Sequence, residues 1–361
     1  MSMKLFAAID IGSYEVEMKI FQITSGKGIK EIDCVCHRME LGKDVYRDGR
    51  IGVEMTDELC RVLNDFARIM KGYRVDDWRV CATSAVREAG NQLVFLDRVK
   101  RHTGLEVEVL SNASQRFMDY KSIASRENEF NRIIQKGTAI VDVGGGSIQI
   151  SLFDKDRLVA SQNMKIGNLR LRERMMNEGV SLKHYETLLT EVVKNEFLSY
   201  KKLYLKDRVI SNLIVVGDHI GDAVHKNVMT RADFLNFYDD MIYRSDEDAA
   251  GRCEVPEDVI SVLRPSLVVY RCFLEAADVE NIWMPGLHLT DGMAYEYAQQ
   301  NRLLKLVHDF DEDILAAARN AAKRYQCSIS KCAKIWQLVF LTRSKRARDS
   351  MSGIACCSAL R

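Results

Sequence analysis

Two short stretches of this 361-residue chain carry the residue types that hold a polyanion. One is Asp142-Val143-Gly144-Gly145-Gly146-Ser147, at the end of the apolar run Ala139 to Val143. Successive glycines admit positive φ and let backbone N–H groups close on an anion, while the acid at the mouth can hold a Mg2+ that offsets phosphate charge. The other is Asp10-Ile11-Gly12-Ser13, which follows Leu5 to Ile9. Arg87 is a third candidate. It sits where the strand-like Trp78 to Thr83 runs into Ser84-Ala85-Val86-Arg87-Glu88-Ala89, a junction of small and hydroxyl residues with room for a ligand. A guanidinium fork suits phosphate oxygens, although an ion pair with Glu88 or Asp97 would use Arg87 equally well.

These residues need rigid elements behind them. Each glycine turn is followed by an alternating segment: Val16, Met18 and Ile20 face one way with Glu17 and Lys19 the other, and Ile148 to Phe153 continues the second turn. One such hairpin alone would carry no chemistry. Two of them, about 130 residues apart and each with an acid, suggest a duplicated domain that offers both turns to one polyphosphate between the halves.

The remaining pattern is α/β. Ile29 to Met39 reads as a third strand, Thr56 to Met70 as an amphipathic helix, and Gln92 to Thr103 as a helix ended by Gly104. Leu105 to Leu110 is a strand and Ser114 to Glu127 a helix. The stretches from Leu41 to Asp44 and from Arg47 to Arg50 carry turn residues, with Lys43, Arg47 and Arg50 on a solvated face or at the cleft mouth. A polar hinge spans about 124–137. Beyond it the spacing predicts a strand from Arg157 to Lys165, helices from Ile166 to Met175 and from His184 to Leu203, and an apolar strand from Ser211 to Val216. Helices from Arg231 to Arg244, Pro256 to Glu275 and Ala294 to Val307 follow. The expected domains are 1–128 and 129–300, with a helical tail over 301–361.

Lys and Arg number 52 against 51 Asp and Glu, so nothing global favours nucleic acid or an anionic membrane. No run of 18 apolar residues and no basic-then-apolar leader occurs, and the ten cysteines lack zinc spacing; a cytoplasmic protein with reduced thiols is expected. The seven histidines show no mutual spacing and are expected in core or surface roles.

Five segments together resemble one family. Ala7 to Gly12, Ala82 to Ala89, Asp142 to Ser147, Met164 to Leu171 and Leu289 to Gly292 fall in the order and spacing of exopolyphosphatase/guanosine pentaphosphate phosphohydrolases, over roughly 4–300. The resemblance implies two ribonuclease H-like, actin-like domains with the active site in the cleft between them. It also implies Mg2+-dependent release of terminal phosphate from inorganic polyphosphate or guanosine pentaphosphate. Carried over, Gly12, Ser13, Arg87, Gly145, Gly146 and Ser147 hold phosphate oxygens, and Asp10 and Asp142 bind Mg2+ directly or through water.

The chain departs from the family pattern at three places. The family's Ser-Gly-x-Glu-Glu run, whose second Glu is regarded as the base for water, is here Ser111-Asn112-Ala113-Ser114-Gln115, and its Ser-Thr-Glu is Ser147-Ile148-Gln149; Tyr14 stands for an Asn. Loss of a true general base costs about 10²-fold to 10⁴-fold in rate, yet a glutamine can orient water in phosphoryl transfer. Gln115, Asp142 and Gln149 are therefore the candidate catalytic residues. A hydrolase, a polyphosphate or guanosine-polyphosphate binder or sensor, and an ATP-dependent actin-like activity all stay open, as does the oligomeric state, a homodimer included.

Asp311 to Trp336 reads as a helix pair, where long family members continue into a helical domain of the HD-phosphohydrolase type. From Phe340 to Arg361 the text turns basic and loses its periodicity, and shifting one nucleotide under permitted codons restores an amphipathic helix. A frameshift near Phe340, and hence a truncated helical region, is the expectation.

Overall fold

In a computed structural model, residues 3–177, 182–205, 208–217 and 219–304 are described, together with Leu315 and Arg319. Two α/β units build it. The first holds strands β1 (Met3–Ile11), β2 (Glu15–Thr24), β3 (Gly28–Arg38), β4 (Asp77–Ala82) and β5 (Val107–Val109), in the order β3-β2-β1-β4-β5. Here β1, β2 and β3 form an antiparallel meander, and β4 and β5 continue parallel to β1. The second sheet repeats the plan with β6 (Thr138–Val143), β7 (Ile148–Asp154), β8 (Arg157–Met164), β9 (Asn212–Val216), β10 (Val228–Thr230) and β11 (Asn281–Trp283), ordered β10-β11-β9-β6-β7-β8.

The duplication is exact enough in register to place the two acids equivalently. Asp10 is opposite Glu17 across the first hairpin and Asp142 opposite Gln149 across the second; on the other side they neighbour Cys81 and Val216 of the parallel strands. Both acids thus lie at the carboxyl ends of central parallel strands, where open α/β sheets bind ligands.

Helices cover the sheets: α1 (Leu41–Asp48), α2 (Val53–Tyr73), α3 (Ser84–Glu88), α4 (Gln92–Thr103), α5 (Asn112–Ala124) and α6 (Glu127–Ile133) in the first half, then α7 (Asn168–Asn177), α8 (Leu182–Tyr200), α9 (Ile220–Val224), α10 (Arg231–Met241), α11 (Asp246–Cys253), α12 (Glu257–Ala276) and α13 (Leu289–Gln300). Strand β1 is buried on both faces. Ala7, Ile9 and Ile11 join the core under α2 and α4, while Phe6 and Ala8 join a second core with Met293, Ala294 and Ala298 of α13. That explains why β1 reads as a near-continuous apolar run rather than a clean alternation.

Helix α13 follows the second sheet in sequence but packs on the first. Its Glu296 takes Arg79 of β4 and Lys121 of α5, each at 2.5 Å, and Asp291 takes Lys19 at 3.0 Å. The first unit is therefore completed by residues 289–300. The stretch from Leu41 to Asp48, read as turns, is a helix. Only Leu41, Gly42 and Val45 are buried there, too short a stripe to show a helical period, and the Gly49 signal is its left-handed cap at φ 72°. Lys43, Arg47 and Arg50 are exposed, with Arg47 paired to Asp48. The expected tail helices and the Phe340 frameshift lie outside the described residues, apart from helical Leu315 and Arg319.

Candidate active site

The second glycine turn lies directly against the first unit. Its glycines adopt no left-handed φ; close approach requires Gly145, where a Cβ would stand 2.8 Å from Ser13 Cβ, and Gly146. A Cβ on Gly146 would meet the Tyr46 hydroxyl at 2.0 Å and Ser84 Cβ at 2.8 Å. Tyr46 itself is held by Ser13 Oγ at 2.7 Å and lies under the Arg170 guanidinium, 4.0 Å from its ring centre. The turn's carbonyls are taken up by the start of α7: Gly144 O accepts from Asn168 N–H and Gly145 O from Arg170 N–H, both at 3.0 Å, and Gly146 O accepts from Arg170 Nε at 2.9 Å. No acceptor for the N–H groups of Gly145 and Gly146, or of Ser13 and Tyr14 in the first turn, is found among the described residues. Ser13, Tyr14 and Gly145 line one cavity, and two turns with N–H donors left free there can hold an anion.

Asp10, Gly12, Ser13, Gln115, Asp142 and Gly145 all line that cavity. The other expected site residues lie one layer back. Gln149 is 2 % exposed and, like Gln115, donates its Nε2 to Asp142 Oδ2 at 3.3 Å. Ser147 Oγ is 3.5 Å from Ser84 Oγ. Arg87 is not in a surface ion pair: it donates to Leu110 O at 2.7 Å, Ser84 Oγ at 3.1 Å and Gln115 Oε1 at 3.4 Å. Glu88 instead takes Arg170 across the cleft at 2.9 Å. Gly217, at φ 81°, lets its backbone pass Asp142; a Cβ there would stand 2.4 Å from Asp142 Oδ1.

Further side chains that no motif marks complete the walls. Glu17 pairs with His288 at 2.8 Å and accepts from Thr290. Burial works against charge on both, yet each partner wins: Glu17 is held at about 2 and His288 lifted to about 9. His219 lies 3.7 Å from Glu15. The core or surface role expected for these two histidines is corrected, since both line the cavity; partners some 200–270 positions away in sequence hide them from spacing arguments. Asp119, on α5, is the last acid of the wall.

Burial, then the Glu17 and Glu15 charges, push the Asp10 carboxyl up to about 8, and its Oδ1 is buried without a hydrogen-bond partner among the described residues. An orphaned acid oxygen among like charges fits a cation. Among the described residues no three His, Cys, Asp or Glu side chains converge as a metal cage. Mg2+ needs none, because it keeps waters and binds through one or two carboxylates plus substrate phosphates. The donor set therefore fits the expected ion at Asp10 and Asp142.

The fold and this cleft define a two-domain α/β protein of actin-like architecture whose two turns and several acids line one cavity. The family model for the Ppx/GppA phosphatase family matches residues 19–300, and the chain belongs to that family. It is 27% identical over 186 residues to exopolyphosphatase 2 of Mycobacterium tuberculosis, covering 49% of this chain and 56% of that one. It is 24% identical over 166 residues to the guanosine-5'-triphosphate,3'-diphosphate pyrophosphatase of Vibrio parahaemolyticus, covering 46% and 32%. The chain spans between 26% and 56% of the length of such curated relatives. Among solved structures, an exopolyphosphatase from Cytophaga hutchinsonii superposes with TM-score 0.71 at 17% identity, over 85% of this chain and 100% of that one. The Aquifex aeolicus Ppx/GppA member gives 0.67 at 22%, over 83% and 99%. These likenesses establish the two-domain fold. No helix among the described residues is long and apolar enough to cross a membrane.

Proposed function

We propose that this protein is a phosphoanhydride hydrolase of the exopolyphosphatase type, releasing terminal phosphate from inorganic polyphosphate or guanosine pentaphosphate. The observation that carries this is the pair of turns whose Ser13, Tyr14 and Gly145 N–H groups find no acceptor among the described residues and line one cavity with Asp10 and Asp142. Donors fixed before substrate arrives stabilise charge spread over phosphoryl oxygens without reorganisation. When bound at Asp10 and Asp142, Mg2+ would neutralise phosphate charge. Gln115, held between Asp142 and Arg87, orients the attacking water through its amide. Arg87 fixes that amide and Ser84, and the Arg170 contacts hold the turn. Names of the matched relatives, an exopolyphosphatase and a guanosine pentaphosphate pyrophosphatase, support the two substrate classes.

A second reading, a polyphosphate or guanosine-polyphosphate binder without turnover, is favoured by one feature: Gln115 and Gln149 both present neutral amides to Asp142, and neither accepts a proton as a carboxylate does. Phosphate release from long-chain polyphosphate with Mg2+ decides between them. Turnover supports the hydrolase; tight binding without release supports the binder; ATP hydrolysis without polyphosphate hydrolysis refutes both in favour of an actin-like ATPase.

A further inference from the structure

We propose that Asp119 is the proton acceptor for the water that attacks the terminal phosphate, a role relocated one helical turn from Gln115; this rests on the hydrolase reading above. Asp119 follows Gln115 by four residues on α5, so the two side chains stack on one face and lean toward the helix N-terminus. That face is turned inward: Gln115 and Asp119 line the same cavity as Asp10, Gly12 and Gly145. Asp119 is 4 % exposed, and its Oδ2 is buried with no hydrogen-bond partner among the described residues.

A structural acid in such a place would be paired. The neighbouring hydroxyls are committed elsewhere, since Ser122 Oγ donates to the Asp119 backbone carbonyl and Tyr120 bonds Ser151. The charges acting on Asp119 are Arg116 on its own helix and Asp142 and Asp10 on the strands beneath, while Lys121 is taken up by Glu296 of α13. Leaving an unpaired carboxyl this deep costs stability, and such uncompensated groups concentrate where chemistry needs them.

The step balances simply. The water oxygen forms a bond to the terminal phosphorus while the bridging P–O bond breaks, its electron pair leaving with the shortened chain. One water proton passes to an Asp119 carboxylate oxygen and then to solvent. Gln115 holds the water through its amide and Asp119 takes the proton that the amide cannot.

The test measures kcat and KM for phosphate release from long-chain polyphosphate at several Mg2+ concentrations, for the wild type, Asp119→Asn, and the double variant Asp119→Asn with Gln115→Glu. Asn is isosteric with this unpaired buried acid, so folding is preserved, and circular dichroism checks it. The expected result is a kcat loss of about 10²-fold to 10⁴-fold with KM unchanged at every Mg2+ concentration. The double variant, with a carboxylate restored at position 115, then recovers at least about tenfold. A kcat within about threefold of the wild type overturns the proposal, and so does a loss repaired by added Mg2+, which would make Asp119 a metal-holding group. If the wild type binds polyphosphate but releases no phosphate, the hydrolase reading falls and takes this one with it; if the wild type turns over and Asp119→Asn does too, only the Asp119 assignment falls.

Discussion

Replacing Gln115 by Glu changes one atom and reverses the electrostatics of the cleft floor. In the wild type the amide donates to Asp142 Oδ2 at 3.3 Å and accepts from Arg87 Nη1 at 3.4 Å. A carboxylate in the same rotamer loses the donor and sets two anionic oxygens about 3.3 Å apart, a gross repulsion of about 5 kcal/mol at an effective dielectric of 20. Arg87 lies at nearly the same distance and offsets most of this, and Gln149 still donates to Asp142. What stays uncompensated is a lost hydrogen bond to a charged group, about 1.5–3 kcal/mol, or a fall of several degrees in Tm. A cation between the carboxylates would relieve the repulsion. Thermal unfolding followed by circular dichroism, with EDTA and then with Mg2+, should therefore show the variant less stable than the wild type without metal, and a larger Mg2+-induced rise in Tm for the variant. Equal Tm values in EDTA together with equal Mg2+ shifts would refute both the Gln115–Asp142 contact and the placing of the ion.

Two more perturbations probe the frame around the site. Gly146→Ala would drive a Cβ into the Tyr46 hydroxyl and Ser84, so urea unfolding should show a loss of about 1–3 kcal/mol and polyphosphate binding should weaken. Tyr46→Phe removes the atom of closest contact, and the double variant should be less destabilised than the sum of the singles; strict additivity would mean the turn does not press on Tyr46. The Glu17–His288 pair gives a pH signature. His288 titrates higher in the folded chain, near 9, so its contribution is complete below its ordinary value of 6.5 and is lost as pH rises through 9; Glu17, held near 2, contributes above 4.5 and loses it as pH falls through 2. The pair is fully effective between about 4.5 and 6.5, and its own contribution of about 3 kcal/mol is lost between pH 6.5 and 9. Glu17→Gln should flatten that slope, and an unchanged slope would show that the pair does not form.

Much of the site's frame can be read directly from residue order. The two Asp and Gly/Ser turns between apolar runs emerge as hairpins because a period-2 pattern and turn glycines are local signals. The glycines are informative for a different reason from the one their type suggests: the backbone there needs no left-handed φ, only the absence of a Cβ at Gly146, where Tyr46 and Ser84 approach, and at Gly145, where Ser13 does. Asp119 is invisible by type, since an Asp between Met118 and Tyr120 in a helix reads as one more polar position until α5 is seen with that face toward the cleft.

Residue order by itself determined the duplicated strand–turn–strand units and the equivalent acids Asp10 and Asp142, because each follows from residue type and short spacing; the amides at Gln115 and Gln149 stand out only against the pattern of the family the chain resembles. Tertiary structure alone decided the rest. It returned α13 from the far end of the described chain to the first sheet, brought His288 to Glu17 and His219 to Glu15, and turned Asp119 inward. Those outcomes depend on which apolar faces bury each other across more than a hundred residues, and nothing local to Leu289, His288 or Asp119 encodes the partner.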